Sequence, residues 1–215
     1  MNRRTALVIA SVVLVLLLGV SGVHPHDRLT WVLEVFPIVV VLPILFLTYR
    51  RFPLTTLLYA LIFVHAVVLL VGGHYTYARV PVGFAIAKLF GLQRNPYDKI
   101  GHFAQGLVPA IAAREILVRG RYVRTRGMLA FVVISIVLAI SASYELFEWA
   151  SAVSLGQGAN DFLGTQGDPW DTQSDMFFAL VGGGAALLGL ASYHDRQIDS
   201  LRGRALTVSG AFRRP

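Results

Sequence analysis

Residues 54–72 read LTTLLYALIFVHAVVLLVG, a run without Asp, Glu, Lys or Arg. A helix rises about 1.5 Å per residue, so a run of this length covers nearly all of a bilayer's hydrocarbon core, which is about 30 Å thick. Similar apolar runs recur along the chain. We therefore predict an all-α, polytopic transmembrane helix bundle of about six spans, at about 5–22, 30–49, 54–72, 98–118, 128–149 and 174–193.

The composition favours the same class and excludes several kinds of chemistry. Of the 215 residues, 55% are hydrophobic and 14% are charged, whereas soluble domains carry about 25% charged residues. The length fits a single integral membrane domain over residues 1–215, with a basic tail at about 195–215. Because the chain has no cysteine, disulfides, iron–sulfur clusters, Cys-ligated zinc and thiol nucleophiles are excluded.

The basic residues predict how the spans are oriented. Six spans place both termini on one side, together with the basic segment from Arg119 to Arg126. An excess of Lys and Arg marks the cytoplasmic side of a membrane protein, so we predict that both termini are cytoplasmic in an inner-membrane protein. The net charge of +7 then reflects topology and contact with membrane lipid, and we predict no nucleic-acid binding.

Carboxylates and histidines gather on the other, outer side. A spacing of three or four residues along a helix places two side chains on one face. Three predicted helix ends bring such residues to one depth: Asp98 and His102 begin the fourth span, Glu145 and Glu148 end the fifth, and Asp171 and Asp175 begin the sixth.

Ionisable side chains at the edge of a span are costly unless they are paired, solvated or ligated, which makes these residues functional candidates. We predict a divalent metal site (Zn, Mn, Mg or Ca) that acts on a lipid-linked or envelope phosphate substrate. The predicted metal ligands are Asp98, His102, Glu145, Asp171 and Asp175. The predicted catalytic residues are Glu148, a general base, and His74, and the predicted substrate contacts are Arg79, Arg94 and Lys99.

The same carboxylates have a purely structural interpretation. Asp98 and Asp171 lie near helix N termini, where the helix dipole stabilises negative charge. Glu145 and Glu148 lie at a C-terminal end, where the dipole disfavours anions, so we expect a cation such as Lys99 or a metal ion beside them.

Two other functions remain open. The carboxylates could carry protons or cations in a small transporter, or they could bind a partner in a non-catalytic accessory subunit. A transporter needs a polar path across the membrane. Glu34 and His65 lie inside apolar spans, but the cytoplasmic halves of spans four to six offer almost no ionisable residue to continue such a path. Arg114 and Glu115 are interpreted as marking a cytoplasmic helix end.

We make two further predictions for the outer segments. The stretch from Val82 to Leu92 is apolar and predicts a short helix lying in the membrane interface. Aromatic residues near the outer boundary predict an interfacial belt, and these are Tyr75, Tyr77, Tyr97, Trp149 and Trp170.

Four strings also resemble a known family. They are GHYTY at 73–77, NPYDKIGHF at 95–103, YELFEW at 144–149 and QGDPWDTQSDM at 166–176. Together they are similar to the YjdF-like family of bacterial inner-membrane proteins, which implies a multi-span membrane protein of a family without a known function. A fainter resemblance is to VanZ-like membrane proteins, carried by Asp98, Lys99, His102, Glu145 and Asp175.

Overall fold

The computed structural model describes residues 2–155 and 166–211, and every regular element in these ranges is helical. The α-helices are α1 (Arg3–Ser21), α2 (Arg28–Thr48), α3 (Thr56–Tyr75), α4 (Pro81–Phe90), α5 (Tyr97–Gly120), α6 (Arg126–Leu155), α7 (Asp171–Ala185) and α8 (Ala191–Ala211). A 3-10 turn, Tyr77–Arg79, precedes α4, and a π-helical turn, Ala186–Leu190, joins α7 to α8. The predicted all-α class is confirmed.

Five helical segments among the described residues are long and apolar enough to cross a membrane: α1, α2, α3, α6 and the continuous α7–α8 segment. The short apolar helix expected after Val82 is α4. The sixth long helix, α5, is more polar, but it packs against α3, α6 and α7 in the centre of the bundle. Its polar side chains therefore face protein, and its composition does not have to match a lipid environment.

Side-chain caps define several helix starts. Asp27 accepts a hydrogen bond of 2.7 Å from the backbone N–H of Thr30 at the start of α2, and this bond holds the pKa of the Asp27 carboxyl below its usual range. The Thr55 hydroxyl accepts from the backbone N–H of Leu58 at the start of α3. Such caps satisfy N–H groups that the first helical turn leaves without partners.

Two glycines bring α5 and α7 into close contact. A methyl group added at Gly106 of α5 would overlap the backbone carbonyl of Ala179 on α7. A methyl group added at Gly182 of α7 would likewise overlap the carbonyl of Phe103 on α5. Small residues allow membrane helices to approach backbone to backbone, so this crossing fixes the start of α5 against the start of α7.

The aromatic residues of the predicted outer boundary divide into two groups. Three are exposed as expected for an interfacial belt, namely Tyr75, Trp149 and Trp170. Tyr77 and Tyr97 are instead buried, at 7% and 5% exposure, so the belt prediction is wrong for them. The Tyr77 ring packs where a side chain at Gly101 would lie, and the Tyr97 hydroxyl donates to the Val68 carbonyl at 3.1 Å.

Candidate functional site

The crossing of α5 and α7 places three potential metal ligands together. Asp98 and His102 lie one turn apart on α5, and Asp175 lies in the second turn of α7. One ligand atom from each lies within 4.8 Å of the other two. All three residues are largely buried, with exposures of 9%, 5% and 1% in that order. We call Asp98, His102 and Asp175 the carboxylate–histidine cluster.

The spacing of the ligand atoms fits one small cation. His102 Nε2 lies 3.4 Å from Asp98 Oδ1 and 3.8 Å from Asp175 Oδ2. Ligands about 2.1 Å from a tetrahedral ion lie about 3.4 Å from one another. The two distances from His102 Nε2 are close to this value, and three protein ligands on one ion would leave a coordination position for water or substrate.

Lys99 balances part of the negative charge in the cluster. Its ammonium nitrogen lies 2.6 Å from Asp175 Oδ1, 2.9 Å from Asp171 Oδ1 and 3.6 Å from Asp98 Oδ2. Asp98 and Asp175 therefore each turn one oxygen towards Lys99 and the other towards His102. Asp171 is paired with Lys99 rather than placed within the cluster.

Glu145 approaches His102 from the other side of the imidazole ring. Its Oε1 atom lies 3.9 Å from His102 Nδ1, whereas Asp98 and Asp175 face Nε2. Among the described residues, neither this oxygen nor His102 Nδ1 has a hydrogen-bond partner, although both are buried. A metal-bound histidine usually donates its second N–H to a carboxylate, and Glu145 has the position for that role.

Glu148 and Glu34 extend the polar region from the cluster towards α2. Glu148 is 7% exposed and Glu34 is 2% exposed. The Tyr144 hydroxyl donates to Glu34 Oε2 at 3.2 Å, which connects α6 to α2. The sequence identified Glu34 as an acid inside an apolar span, but it did not indicate Tyr144 as its partner, because the two residues are far apart along the chain.

Three other predicted site residues lie apart from the cluster. His74 Nδ1 is 2.9 Å from the Ser21 carbonyl oxygen, at the end of α1. Arg94 forms a 3.0 Å ion pair with Asp168 that is partly exposed. Arg79 is exposed at the end of the 3-10 turn.

A second buried polar network, which sequence reasoning missed, connects α3, α5 and α8 near the other end of α5. Glu115 and His194 are each 0% exposed. Glu115 accepts hydrogen bonds from the Thr55 hydroxyl at 2.7 Å and from Arg119 at 2.7 Å, and its Oε2 lies 3.0 Å from His194 Nε2. In the sequence, only the i, i+4 spacing of Glu115 and Arg119 pointed to an ion pair in this region.

The protonation state of His194 follows from its second partner. Arg114 lies 3.1 Å from His194 Nδ1, and a guanidinium group can only donate. Nδ1 therefore accepts, and Nε2 carries the proton that His194 donates to Glu115. Arg114 also pairs with Asp195 at 2.7 Å. Arg114 and Glu115 thus do more than mark a helix end, since they hold three helices together.

Comparison with known proteins gives a family and one close relative. The profile of the family described as "Predicted membrane protein (DUF2238)" matches residues 6–196. The chain is 60% identical over 189 residues to "Inner membrane protein YjdF" of Escherichia coli (strain K12), covering 88% of this chain and 90% of the relative. No solved structure matches. The resemblance to VanZ-like proteins stays a prediction.

Proposed function

This chain belongs to the DUF2238 family of predicted membrane proteins, and we propose that its function in the inner membrane depends on a divalent cation bound by Asp98, His102 and Asp175. The observation that supports the proposal is the approach of three ligand atoms to within 4.8 Å of one another on buried residues. Imidazole suits Zn and carboxylate suits Mn, so one His with two Asp ligands fits either ion, whereas sites for Mg and Ca use oxygen ligands alone. We therefore expect Zn or Mn to bind more tightly than Mg or Ca.

Thermal stability tests the cation site. A ligand that binds only the folded state stabilises it by about 2.7 kcal/mol at 100 times its dissociation constant. Zn or Mn should therefore raise the unfolding temperature of the purified chain by several degrees. Asp175→Asn should abolish this gain, whereas Asp168→Asn, at an acid outside the cluster, should retain it. The absence of a gain with Zn, Mn, Mg and Ca would refute the proposal.

The proposed substrate is a phosphate group carried by a lipid or by another envelope component. A cation with an open coordination position polarises a phosphoryl oxygen or lowers the pKa of bound water. Lys99, which lies beside Asp98 and Asp175, is the proposed phosphate contact, since charge-assisted hydrogen bonds hold anions well. Glu148, which lines the same cavity as Asp98 and His102, is the proposed general base.

Release of inorganic phosphate tests this reaction. The full chain in detergent, supplied with the metal that stabilises it most, should release phosphate from an alkyl phosphate or a polyprenyl phosphate. Glu148→Gln should lower the rate by at least about 100-fold, the usual contribution of a positioned acid–base group. His102→Asn should abolish the metal-dependent rate because it removes a metal ligand. If Glu148→Gln keeps the full rate, Glu148 is not the base.

Transport by the same carboxylates is the second candidate function. The network around Glu115 and His194 adds ionisable groups near the other end of α5. Between the two regions, however, residues 106–113 of α5 read GLVPAIAA and contain no ionisable side chain. Proton or cation flux in liposomes, measured across several pH values, should therefore be at background level, and a flux that depends on Asp98 would favour transport.

A further inference from the structure

A cavity of about 350 Å³ lies beside the carboxylate–histidine cluster, between α2, α3, α5 and α6. This volume falls in the range of small-molecule pockets, about 300–1,000 Å³. Asp98 and His102 line it together with a larger set of apolar side chains. The cavity therefore touches the proposed cation site and also extends away from it.

Polar and apolar side chains lie at different ends of this cavity. On α5 the lining begins at Asp98 and continues to Ala112, a distance of about 21 Å at 1.5 Å per residue. On α2 it passes from Glu34 to Leu42, and on α6 from Glu148 to Ile140. In each of these three helices the acid lies at the end near the cluster and apolar residues line the far end, while Gln105 of α5 and His65 of α3 are further polar residues of the lining.

The cavity opens on the lipid-facing side of the bundle. Val41 of α2 and Ile140 of α6 both line it, yet they are 36% and 39% exposed. Other exposed side chains on these two helices are apolar as well, such as Val39 of α2 at 52% and Phe131 of α6 at 68% exposure. In an inner-membrane protein this surface faces the hydrocarbon chains of the bilayer.

The lining decides what can occupy the far end. Buried water needs two to four polar partners, and the side chains from Val108 to Ala112 offer none. A water-soluble phosphate would reach the cluster without using this space. A hydrocarbon chain matches both the apolar lining and the lateral opening, and it would leave its polar head beside the acids.

We propose that the cavity holds one hydrocarbon chain of a membrane amphiphile, whose head group lies against the carboxylate–histidine cluster. This inference rests on the proposed function for the chemistry at the head, and it narrows the substrate class to lipid-linked phosphates. The hydrocarbon chain enters from the bilayer between α2 and α6, where Val41 and Ile140 line the cavity and are exposed.

Photocrosslinking tests the inference directly. The probe is an alkyl phosphate with one diazirine-bearing chain, added to vesicles of phosphatidylethanolamine and phosphatidylglycerol that contain the full protein. Adducts are mapped by mass spectrometry. We expect them on Ala66 and Val108, which line the cavity and are 5% and 7% exposed. Adducts confined to outward-facing residues such as Leu188 would overturn the inference.

A matched pair of variants checks that the adducts come from within the cavity. Ala112→Phe fills its apolar end, whereas Ala139→Phe makes the same exchange at an exposed position on α6. Adducts on Ala66 and Val108 should be lost in the first variant and kept in the second. If Ala112→Phe fails to fold, the adduct map of the unchanged chain decides alone.

The same preparation separates this inference from the proposed cation site. Metal-induced thermal stabilisation is measured in parallel and should be equal in Ala112→Phe and Ala139→Phe. Adducts on interior residues without metal stabilisation would support the hydrocarbon-binding cavity and refute the proposed cation site. Metal stabilisation with adducts only on the outer surface would refute the hydrocarbon-binding cavity and support the proposed cation site.

Discussion

At the scale of single residues, His102 connects the two halves of the site. Nε2 faces Asp98 and Asp175, and Nδ1 faces Glu145. The sequence predicted that these four residues converge, because it placed each within two turns of a predicted helix end. The structure extends α6 to Leu155, so Glu145 lies almost three turns before the end of the described helix. The sequence could not predict which ring nitrogen each acid faces, since that depends on how α5, α6 and α7 pack.

Glu145→Gln tests the division of roles around His102. If Glu145 orients the imidazole, the variant should bind metal about 10–100-fold more weakly, which is the usual effect of losing an outer-shell partner. Asp175→Asn, which removes a direct ligand, should have a larger effect. Equilibrium dialysis against Zn or Mn measures both affinities, and an equal loss in the two variants would show that Glu145 is itself a ligand.

Glu115 should contribute to the stability of the fold rather than to metal binding. Breaking a buried ion pair by removing one partner costs about 3–5 kcal/mol, so Glu115→Ala should lower the free energy of unfolding by about that amount. Asp199→Asn, at a side chain that is 75% exposed, should change it little. Unfolding in detergent, followed by circular dichroism, measures the difference. A stable Glu115→Ala variant with altered metal affinity would contradict this assignment.

At the scale of helices, the contact between α5 and α7 sets the geometry of the cluster. Hydropathy predicted both helices. Three consecutive glycines at 182–184 favour a close approach of another helix to α7. The partner glycine, Gly106, carried no signal of its own, because a lone glycine in an apolar helix is common in membrane proteins.

Alanine substitutions at the glycines test this contact. Gly106→Ala and Gly182→Ala should each destabilise the fold by about 1–3 kcal/mol, the usual cost of overpacking, and should weaken metal binding because Asp175 moves away from His102. Gly184→Ala is the matched control, since a methyl group there meets nothing within 4 Å among the described residues. Equal metal affinity in all three variants would show that the contact between α5 and α7 does not control metal binding.

At the scale of the whole molecule, the buried ionisable residues of the described part form two separate groups. The carboxylate–histidine cluster lies at one end of α5, and the Glu115 network lies near the other. Apolar runs were enough to predict the helical bundle. The Glu115 network was not predictable, because Glu115 and His194 are separated by 79 residues and their contact depends on the packing of α8 against α5.

The predicted orientation can be tested because the chain has no native cysteine. Gln93→Cys lies in an exposed segment on the predicted outer side, and Arg124→Cys lies in the predicted cytoplasmic loop. A membrane-impermeant maleimide should label Gln93→Cys in intact spheroplasts and Arg124→Cys only after lysis. The reverse pattern would place both termini outside and the cluster at the cytoplasmic face.

Metal stoichiometry tests the central claim most directly. Elemental analysis of the chain, loaded with Zn or Mn and desalted, should give one ion per chain. Asp168→Asn should keep this ion, and Asp175→Asn and His102→Asn should each lose it while remaining folded. A chain that retains no ion, or an ion that remains when Asp175 and His102 are both replaced, would contradict the account.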